Sequence, residues 1–382
     1  MWGLVPRFLR GTNSRLGSGR GFGSSLSAGD GAPAPAPARP PWRILFFGTD
    51  TFALESLQKL HRSRHLETGE VLIDRLEVVT LSAGYPSKLP VRKYASQSDI
   101  PIHDWPDLGQ CNDFDVGVVV SFGSLLSEEL ILRFPYGILN VHPSLLPRWR
   151  GPAPVFHTVL HGDQVTGVTI MQIRPKRFDV GPIVMQKECA VPTRCTANEL
   201  GVMLAEAGAD MLLATLKKLP ECIENSREQS KKGATFAPKI NIAMSWVNWE
   251  EQTSEELDRL NRAISCRVPL RTLWMGNTVK LLDFVDLRDL PLFPAVTQQS
   301  IPGTIQFHKE SNILLVRCKD DWVGFRLVVL KKKLSAADFY NGYLHRYFQE
   351  RTNDHNVWRF QTHKPEQSLA KRAKRNWVAT HR

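Results

Sequence analysis

The segment Arg43-Ile-Leu-Phe-Phe-Gly-Thr49 decides the fold class, because it is a short apolar run that ends in a turn. Such a run is typical of a strand buried on both faces of a parallel sheet. Leu54, Leu57 and Leu60 follow at helical spacing, so a strand–turn–helix unit is predicted. The turn lacks the three spaced glycines of a dinucleotide-binding fingerprint, and bound NAD is therefore not expected.

Strands and helices continue to alternate through residues 42–224. This order predicts an α/β domain with an open, mostly parallel, Rossmann-like sheet. The segment Thr196-Ala197-Asn198-Glu199 is a capping box, so a long helix is expected to begin there. The further strands are predicted at residues 76–81, 116–120, 137–141 and 167–173, with a short helix at 128–134.

The pattern changes after residue 224. Residues 225–240 are polar and include Lys231-Lys232-Gly233, which predicts a linker. A second capping box, Thr253-Ser254-Glu255-Glu256, begins a short helix, and closely spaced strands then predict an OB-like β-barrel domain over residues 241–350. Residues 351–382 are polar and basic and are predicted to be a disordered tail. The strands of the barrel are predicted at residues 279–285, 303–308, 313–318 and 325–330.

The composition of the 382 residues is ordinary except for the charge. Hydrophobic residues make up 42% and charged residues 23%, as in a globular protein long enough for two domains. The net charge of +11 favours a polyanionic partner such as nucleic acid, an import signal, or both. Six scattered cysteines without Cys-x-x-Cys spacing predict neither a metal site nor a disulfide framework. No apolar run approaches the roughly 18 residues needed to span a bilayer, so no membrane contact is expected.

Residues 1–41 differ from the rest of the chain. They are rich in Ser and Gly, and no acidic residue occurs before Asp30. This composition predicts a mitochondrial transit peptide, followed by an extended Ala/Pro tract over residues 32–41. The alternative is a basic arm that is merely disordered. The basic residues before Asp30 are Arg7, Arg10, Arg15 and Arg20.

The segment Asn140-Val141-His142 carries the candidate site. Alternate residues of a strand face the same side, so Asn140 and His142 are expected to point into one cavity if the strand reaches His142. Ligands of open α/β sheets bind at the carboxyl ends of the strands, which is where these residues fall. Asp179 follows downstream. An amide, an imidazole and a carboxylate together suit acyl transfer, whereas a lone histidine would be interpreted as part of the core.

Ser144 offers an alternative interpretation, in which it forms a hydrolase triad with His142 and Asp179. A serine nucleophile usually lies on a strained Gly-x-Ser-x-Gly turn, and the sequence around Ser144 has no such motif. Ser144 also lies too near His142 in a proline-flanked turn. The hydrolase interpretation is therefore disfavoured.

The longer stretch Asn-Val-His-Pro-Ser-Leu-Leu-Pro-Arg-Trp-Arg-Gly-Pro-Ala-Pro, residues 140–154, resembles the signature of the folate-dependent formyltransferases. Gly162-Asp163, the segment 167–172 and Asp179-Val180-Gly181 also fit that family. Val247-Asn248-Trp249 is similar to the Ile-Asp-Trp that opens the C-terminal domain of family members acting on methionyl-tRNA. The resemblance extends from about residue 43 to about residue 347.

This resemblance implies a reaction in the mitochondrial matrix that serves translation initiation. The formyl group of 10-formyltetrahydrofolate would move to the α-amine of methionine on the initiator tRNA, catalysed by a monomer without a metal ion. Two alternatives stay open. One is a formyltransferase for a small amine, such as a nucleotide sugar or glycinamide ribonucleotide. The other is a non-catalytic RNA-binding protein built on an inactive enzyme scaffold.

The resemblance also implies roles for individual residues. Asn140 would hydrogen-bond the formyl oxygen, and His142 would help to stabilise the oxyanion. Asp179 would manage protons through a water molecule and orient the imidazole. The residues that would wall the folate pocket are Ser144, Leu145, Leu146 and Pro147.

Two departures from the family pattern concern the tRNA. Residues 80–88 form a short segment where bacterial members carry a longer basic loop, and residues 173–178 are one residue longer than usual and basic. Our hypothesis is that basic residues near Asp179 and in the C-terminal domain contact tRNA phosphates instead. The alternatives are an ordinary solvated surface or a cluster that binds the glutamate tail of folate. The candidate tRNA-binding residues are Arg148, Arg150, Arg174, Lys176, Arg177, Lys331, Lys332 and Lys333.

Overall fold

The computed structural model describes residues 37–64, 71–82, 89–109, 113–289, 300–345 and 358–364. Most of the predicted transit peptide and of the tail lies outside the described residues, as does most of the short segment 80–88. The chain divides into two compact units. The first contains residues 1–154, 165–190 and 201–237, and the second contains residues 155–164, 191–200 and 238–382.

The first unit is built on a seven-stranded sheet with the order β3-β2-β1-β4-β5-β6-β7. The pairs from β3 to β5 are parallel, and β6 pairs antiparallel with both β5 and β7. The predicted mostly parallel sheet is therefore confirmed, with an antiparallel edge added. The strands are β1 (Trp42–Gly48), β2 (Ile73–Leu81), β3 (Ile102–Trp105), β4 (Val116–Val120), β5 (Ile138–His142), β6 (Val165–Gln172) and β7 (Ile183–Ala190).

Local sequence explains how the helices begin. The Asp50 carboxylate accepts the Ala53 N–H and starts the first helix directly after the turn that follows β1. Thr196 and Glu199 cap each other's backbone N–H groups, which confirms the predicted capping box of the long helix. The helices before residue 225 are α1 (Thr51–Arg62), α2 (Pro90–Gln97), α3 (Glu128–Ile131), α4 (Pro154–Leu160), α5 (Ala197–Lys217) and α6 (Leu219–Glu224).

Residues 226–237, which we call the strap, lie against the first sheet. Arg227 and Ile183 exchange backbone hydrogen bonds of 2.9 and 2.7 Å. Ala237 and Arg150 are joined by a backbone bond of 2.7 Å. This differs from the predicted linker over residues 225–240. Gln229 donates to backbone carbonyls and Thr235 accepts a backbone N–H, so polar side chains of the strap bond the first unit, which polar composition alone does not indicate.

The second unit contains a six-stranded antiparallel sheet with the order β10-β11-β12-β9-β8, and β13 pairs with β12. Its helix α7 (Ser254–Ile264) begins at the predicted capping box of Thr253 and Glu256. A short helix, α8 (Ala336–Phe339), follows the last strand. The strands are β8 (Leu270–Trp274), β9 (Asn277–Val285), β10 (Ile305–His308), β11 (Ile313–Arg317), β12 (Trp322–Val329) and β13 (Lys333–Ser335).

Residues 358–364 join the two edges of the second sheet. The Gln361 N–H donates to Leu273 O of β8 at 2.8 Å, and the Ile305 N–H of β10 donates to Trp358 O at 2.7 Å. Phe360 is fully buried. This closure fits the predicted barrel, but at residues 358–364 it differs from the prediction of a disordered tail over residues 351–382. The physical reason is the apolar Phe360 side chain, which completes the core of this unit.

Candidate active site

Asn140 and His142 lie at the carboxyl end of β5, between β4 and β6. Asn140 is in register with Val119 of β4, and His142 is in register with Thr169 of β6. Both side chains face Asp179. Asn140 Nδ2 donates to Asp179 Oδ1 at 3.3 Å, and His142 Nδ1 lies 3.9 Å from the same oxygen. The structure therefore brings the three predicted residues together.

The imidazole of His142 is only 5% exposed, and its orientation is fixed by a backbone group. Its Nε2 lies 3.0 Å from Trp149 O. A carbonyl oxygen can only accept, so Nε2 carries a hydrogen. In the neutral ring, Nδ1 then presents a lone pair to the Asp179 carboxylate. A second proton on Nδ1 would turn this nitrogen into a donor that faces the same carboxylate.

Asp179 is held by backbone and amide donors. Its Oδ2 accepts the Gly151 N–H at 2.8 Å, and its Oδ1 accepts the Asn140 amide. The Asp179 backbone is left-handed, with φ of +50°. Gly181 follows in a place where a Cβ atom would lie 1.7 Å from Gln172 O, so the backbone passes too closely for any side chain. The Asp-Val-Gly segment is therefore a tight turn that delivers the carboxylate to β5.

Ser144 has a structural contact that removes it from catalysis. Its side chain is fully buried, and its hydroxyl donates to Arg148 O at 2.7 Å. The hydrolase alternative therefore has no nucleophile at this position. The burial also means that the Ser144 side chain cannot line a pocket, so any contact of this residue with a ligand is limited to its backbone.

The loop over residues 143–147 is preformed by polar side chains of β6 and β7. Thr169 Oγ1 donates to Ser144 O at 2.6 Å and accepts the Leu146 N–H at 3.2 Å. Gln186 Nε2 donates to Leu146 O at 3.0 Å. The Leu146 side chain is buried against Met171 and Ile183, while Leu145 and Pro147 are half-buried. The loop consequently has a fixed shape before any ligand arrives.

Two of the predicted basic residues are engaged inside the first unit. Both Nε and Nη2 of Arg150 donate to Gln229 Oε1, at 3.1 and 2.7 Å. The Arg148 guanidinium lies 4.4 Å from the centre of the Trp149 ring. Arg150 thus has a structural role that the hypothesis of phosphate contacts did not include.

The remaining basic residues are exposed. Arg174 pairs with Glu228, and Lys176 Nζ lies 2.7 Å from a Glu128 oxygen. The hydrogen bond that Lys176 donates to Glu128 raises the pKa of Lys176. Arg177 is exposed and forms no ion pair with another residue that the structure describes. In the second unit, Lys331, Lys332 and Lys333 are also exposed.

The sequence pattern does not indicate that several residues supporting the site belong to it. Gln229 and Thr235 lie in the strap, whose polar composition shows no periodicity. Thr169 and Gln186 lie on strands, where a polar residue facing inward is hard to tell from one facing water. Their partners are mostly backbone atoms distant along the chain, and pattern analysis does not detect such contacts.

The described part of the chain contains no group of three or more His, Cys, Asp or Glu residues that could hold a metal ion. Its five cysteines are free thiols. Among the helices within these same ranges, none has the length and apolar character to cross a membrane.

The family model described as Formyl transferase matches residues 43–216, and the one described as Formyl transferase, C-terminal domain, matches residues 239–344. The mitochondrial methionyl-tRNA formyltransferase of Homo sapiens is 59% identical over 327 residues, covering 85% of this chain and 84% of that protein. The methionyl-tRNA formyltransferase of Pseudothermotoga lettingae is 31% identical, covering 78% of this chain and 96% of that protein.

Two solved structures are similar in fold. WlaRD, a sugar 3N-formyl transferase crystallised with dTDP and 5-N-formyl-THF, has a TM-score of 0.53 and 18% identity, covering 77% of this chain and 98% of its own. HypX from Aquifex aeolicus in complex with tetrahydrofolic acid has a TM-score of 0.53 and 15% identity, covering 79% of this chain and 47% of its own. At such identities these structures demonstrate a shared fold only.

Proposed function

This chain belongs to the formyl transferase family, and on that basis we propose that it transfers the formyl group of 10-formyltetrahydrofolate to the α-amine of methionyl-tRNA. It is a transferase that acts in the mitochondrion, as its identity to mammalian mitochondrial methionyl-tRNA formyltransferases indicates. Its formyl donor is derived from folate. The identity of that donor as 10-formyltetrahydrofolate, the matrix location and the monomeric state are parts of the proposal.

The convergence of Asn140, His142 and Asp179 on one point at the end of β5 carries the proposed mechanism. The amine of the methionyl group attacks the formyl carbon, and the formyl oxygen becomes an oxyanion. Asn140 Nδ2 has a second hydrogen, and a protonated His142 has Nδ1–H. Both can donate to this oxyanion, and a preorganised donor of this kind contributes about 3 kcal/mol to the transition state.

Asp179 supplies the base. The attacking amine must lose a proton to form a stable amide, and the carboxylate is the acceptor positioned beside the other two groups. When the tetrahedral intermediate collapses, the bond between the formyl carbon and N10 of the folate breaks, and N10 takes up that proton and leaves as tetrahydrofolate. Its Oδ2 accepts the Gly151 N–H at 2.8 Å, whereas Oδ1 accepts the longer 3.3 Å bond from Asn140 and faces His142, so Oδ1 is the proposed reactive oxygen. The 3.9 Å between this oxygen and His142 Nδ1 is too long for a direct hydrogen bond, so a proton-carrying atom can bridge the two from the side.

The folate site is proposed at the loop over residues 144–147. Thr169 and Gln186 fix this loop in advance, so binding the pterin costs little conformational entropy there. Leu145 and Pro147 offer half-buried apolar surface next to the catalytic residues. Leu146 and Ser144 shape the loop from inside, through their burial and through the Ser144 hydroxyl bond.

Contact with tRNA phosphates is proposed for the exposed cations Arg174, Lys176 and Arg177 of the first unit, and for Lys331–Lys333 of the second. Arg150 and Arg148 are assigned instead to the support of the active site, since Gln229 and Trp149 engage their guanidinium groups. Glu228 and Glu128 compete with phosphate for Arg174 and Lys176, which weakens the contact without preventing it.

Formyl transfer by wild type and by His142→Ala tests the proposal when each is given a formyl donor with either methionyl-tRNA or a small amine. We expect wild type to formylate methionyl-tRNA and His142→Ala to be slower by about a hundredfold or more, since it loses an oxyanion donor. Equal rates for the two proteins would overturn the assignment of the site. Preference for the small amine would favour the alternative substrate class.

A further inference from the structure

Gln229 of the strap uses both ends of its side-chain amide. Its Nε2 donates to Asp179 O at 3.0 Å and to Gly181 O at 2.9 Å. Its Oε1 accepts from Nε and Nη2 of Arg150. Four hydrogen bonds on one glutamine side chain satisfy both of its donor hydrogens and both acceptor lone pairs. No periodicity or motif of the sequence indicates this role.

These four bonds join the two backbone segments that present the catalytic groups. One segment, Asp179 to Gly181, carries the carboxylate. The other carries Trp149, whose carbonyl fixes His142, and Gly151, whose N–H binds Asp179 Oδ2. Gln229 is therefore a cross-brace between the base and the support of the imidazole.

A second strap residue reinforces the same segment. The Trp149 N–H donates to Thr235 Oγ1 at 2.9 Å, and the Arg150 N–H donates to Thr235 O at 2.9 Å. Both Trp149 and Asp179 have left-handed backbones, with φ of +61° and +50°. Such conformations persist where the surrounding contacts define them, and Gln229 and Thr235 supply those contacts.

We propose that Gln229 is a positioning residue for formyl transfer, holding Asp179 and the Trp149–Gly151 segment in reactive geometry. This inference rests on the roles proposed above for Asp179 and His142. It predicts that the strap supports catalysis and does not only connect the chain to the second unit. A displacement of a catalytic group by about 1 Å can lower the rate by a factor of about a hundred. Loss of the Gln229 contacts is therefore expected to lower kcat.

Gln229→Glu tests this with almost no change in volume. The glutamate still accepts from Arg150, but its second oxygen faces the carbonyls of Asp179 and Gly181 and repels them. We expect kcat per folded molecule to fall by about 10- to 100-fold, while the KM for methionyl-tRNA and the unfolding midpoint change little. Gln229→Met removes all four bonds and should lower kcat at least as much.

Gln172→Glu is the matched control, because the Gln172 amide also donates to a backbone carbonyl, that of Tyr136 before β5. Its kcat is expected to equal that of wild type. Wild-type kcat in both Gln229 variants, or a loss explained by fewer folded molecules, would overturn the positioning role. Full activity of Asp179→Asn would instead overturn the proposed function on which the inference rests.

A different observation concerns two exposed phenylalanines of the first unit. Phe178 is 63% exposed and Phe236 is 70% exposed, and in the described part of the chain they are the only aromatic residues among the large exposed hydrophobic side chains. Phe178 directly precedes Asp179. Phe236 forms a bridge with Arg150, whose neighbour Gly151 binds the same carboxylate. Each phenylalanine is thus either next to a residue of the candidate active site in the chain or bridged to a neighbour of one.

We infer that these two rings form a stacking platform for the unpaired 3′-terminal nucleotides of the tRNA. The reactive amine is attached to that end, so these nucleotides must pass beside Asp179. Unpaired bases stack on aromatic side chains irrespective of their sequence. The exposed cations Arg174, Lys176 and Arg177 lie on the same segment as Phe178 and complement the phosphates. This inference also rests on the proposed function.

Binding of uncharged tRNA to Phe178→Ala and Phe236→Ala tests the platform. We expect each substitution to weaken binding about tenfold, and to raise the KM for methionyl-tRNA similarly while kcat stays unchanged. Phe178→Tyr should retain binding because it keeps the ring. Val202→Ala is the control, because Val202 is an exposed apolar residue of α5 and is expected to have no effect.

A tRNA trimmed of its unpaired 3′ nucleotides should bind wild type and the phenylalanine variants equally. Weaker binding of this trimmed tRNA to the variants would overturn the platform. A loss confined to methionyl-tRNA, with uncharged tRNA bound normally, would also overturn it, because the rings would then contact the methionine side chain. Wild-type enzyme without formyl transfer to methionyl-tRNA would instead contradict the proposed function.

Discussion

Two histidine–carboxylate pairs lie in the first unit, and they differ in the space between the partners. On β2 and β3, His103 Nε2 is 2.6 Å from a Glu77 oxygen, and Arg75 Nε is 2.7 Å from the other. At the end of β5, His142 Nδ1 is 3.9 Å from Asp179, and no cation binds that carboxylate directly among the described residues. In the first pair, both carboxylate oxygens are bonded by His103 and Arg75. In the second pair, the histidine and the carboxylate are not bonded to each other, so another molecule can bond both.

A structural carboxylate and a reactive one in the same unit differ in the groups that bind their oxygens. Burial raises the pKa of Glu77, but the hydrogen bonds from His103 and Arg75 outweigh it and leave the pKa below its ordinary value. Both oxygens of Glu77 are used by charged or chargeable groups. Asp179 is held by an amide and a backbone N–H, which orient it without occupying its whole capacity as a base.

Replacing the reactive pair should have the largest effect. We expect Asp179→Asn to lower kcat by about a hundred- to a thousandfold, because the isosteric amide keeps the shape but cannot accept the proton. The matched change in the other pair, Glu77→Gln, should leave kcat per folded molecule unchanged. Single-turnover formyl transfer measures both. Comparable losses of kcat in the two variants would contradict the assignment of Asp179 as the reactive carboxylate and Glu77 as the structural one.

Replacing the structural pair should instead affect stability. Glu77→Gln leaves Arg75 and His103 without their carboxylate, and we expect the free energy of unfolding to fall by about 1–3 kcal/mol. Urea unfolding followed by circular dichroism measures this. Asp179→Asn should change stability less, since the isosteric amide oxygen can still accept the Gly151 N–H and His142 keeps its contact with Trp149 O. A greater loss in Asp179→Asn would contradict the assignment of the two pairs.

The exposed cations Lys176 and Arg177 lie outside both pairs, and replacing them should change the KM for methionyl-tRNA without changing kcat. We expect the double reversal Lys176→Glu and Arg177→Glu to raise the KM for methionyl-tRNA by about tenfold at low salt, and less at high salt. Reversal of Lys217 and Lys218, exposed at the end of α5, changes the net charge equally and serves as the control. A rise in the KM for folate with an unchanged KM for methionyl-tRNA would assign the two cations to the glutamate tail.

The smallest expected effect is on the pH dependence of stability. Because the pKa of Glu77 is lower in the folded protein, its contribution is present above the ordinary glutamate value of 4.5 and is lost as pH falls through the folded value. The stability difference between wild type and Glu77→Gln should therefore shrink as the pH falls below about 4.5. Urea unfolding midpoints measured between neutral and acidic pH test this, and a constant difference would contradict it.

The sequence alone predicts much of the first sheet and the centre of the site. Asn140 and His142 could be placed on one side of β5 because the side-chain period of a strand is two. Their position at a strand end followed from the general location of ligands in open α/β sheets. Edge strand β7 was missed because its residues alternate little between buried and exposed, which weakens the periodic signal.

The support of the site could not be predicted. Gln229 binds the carbonyls of Asp179 and Gly181, about fifty residues earlier in the chain, and side-chain bonds to a distant backbone leave no local pattern. The same holds for residues 358–364, which close the second sheet by backbone pairing. Polar composition predicted a linker at the strap and a disordered tail at residues 358–364. Composition indicates only how well side chains are solvated, and it does not show which backbone groups elsewhere in the fold can bond them.

The acceptor of the formyl group can be identified by giving the wild-type protein methionyl-tRNA, uncharged tRNA and free methionine side by side and measuring formyl transfer to each. We expect the formyl group of 10-formyltetrahydrofolate to appear only on methionyl-tRNA, as N-formylmethionyl-tRNA, and Asp179→Asn to abolish nearly all of it. Equal transfer to free methionine, or no transfer to methionyl-tRNA, would contradict the proposed reaction.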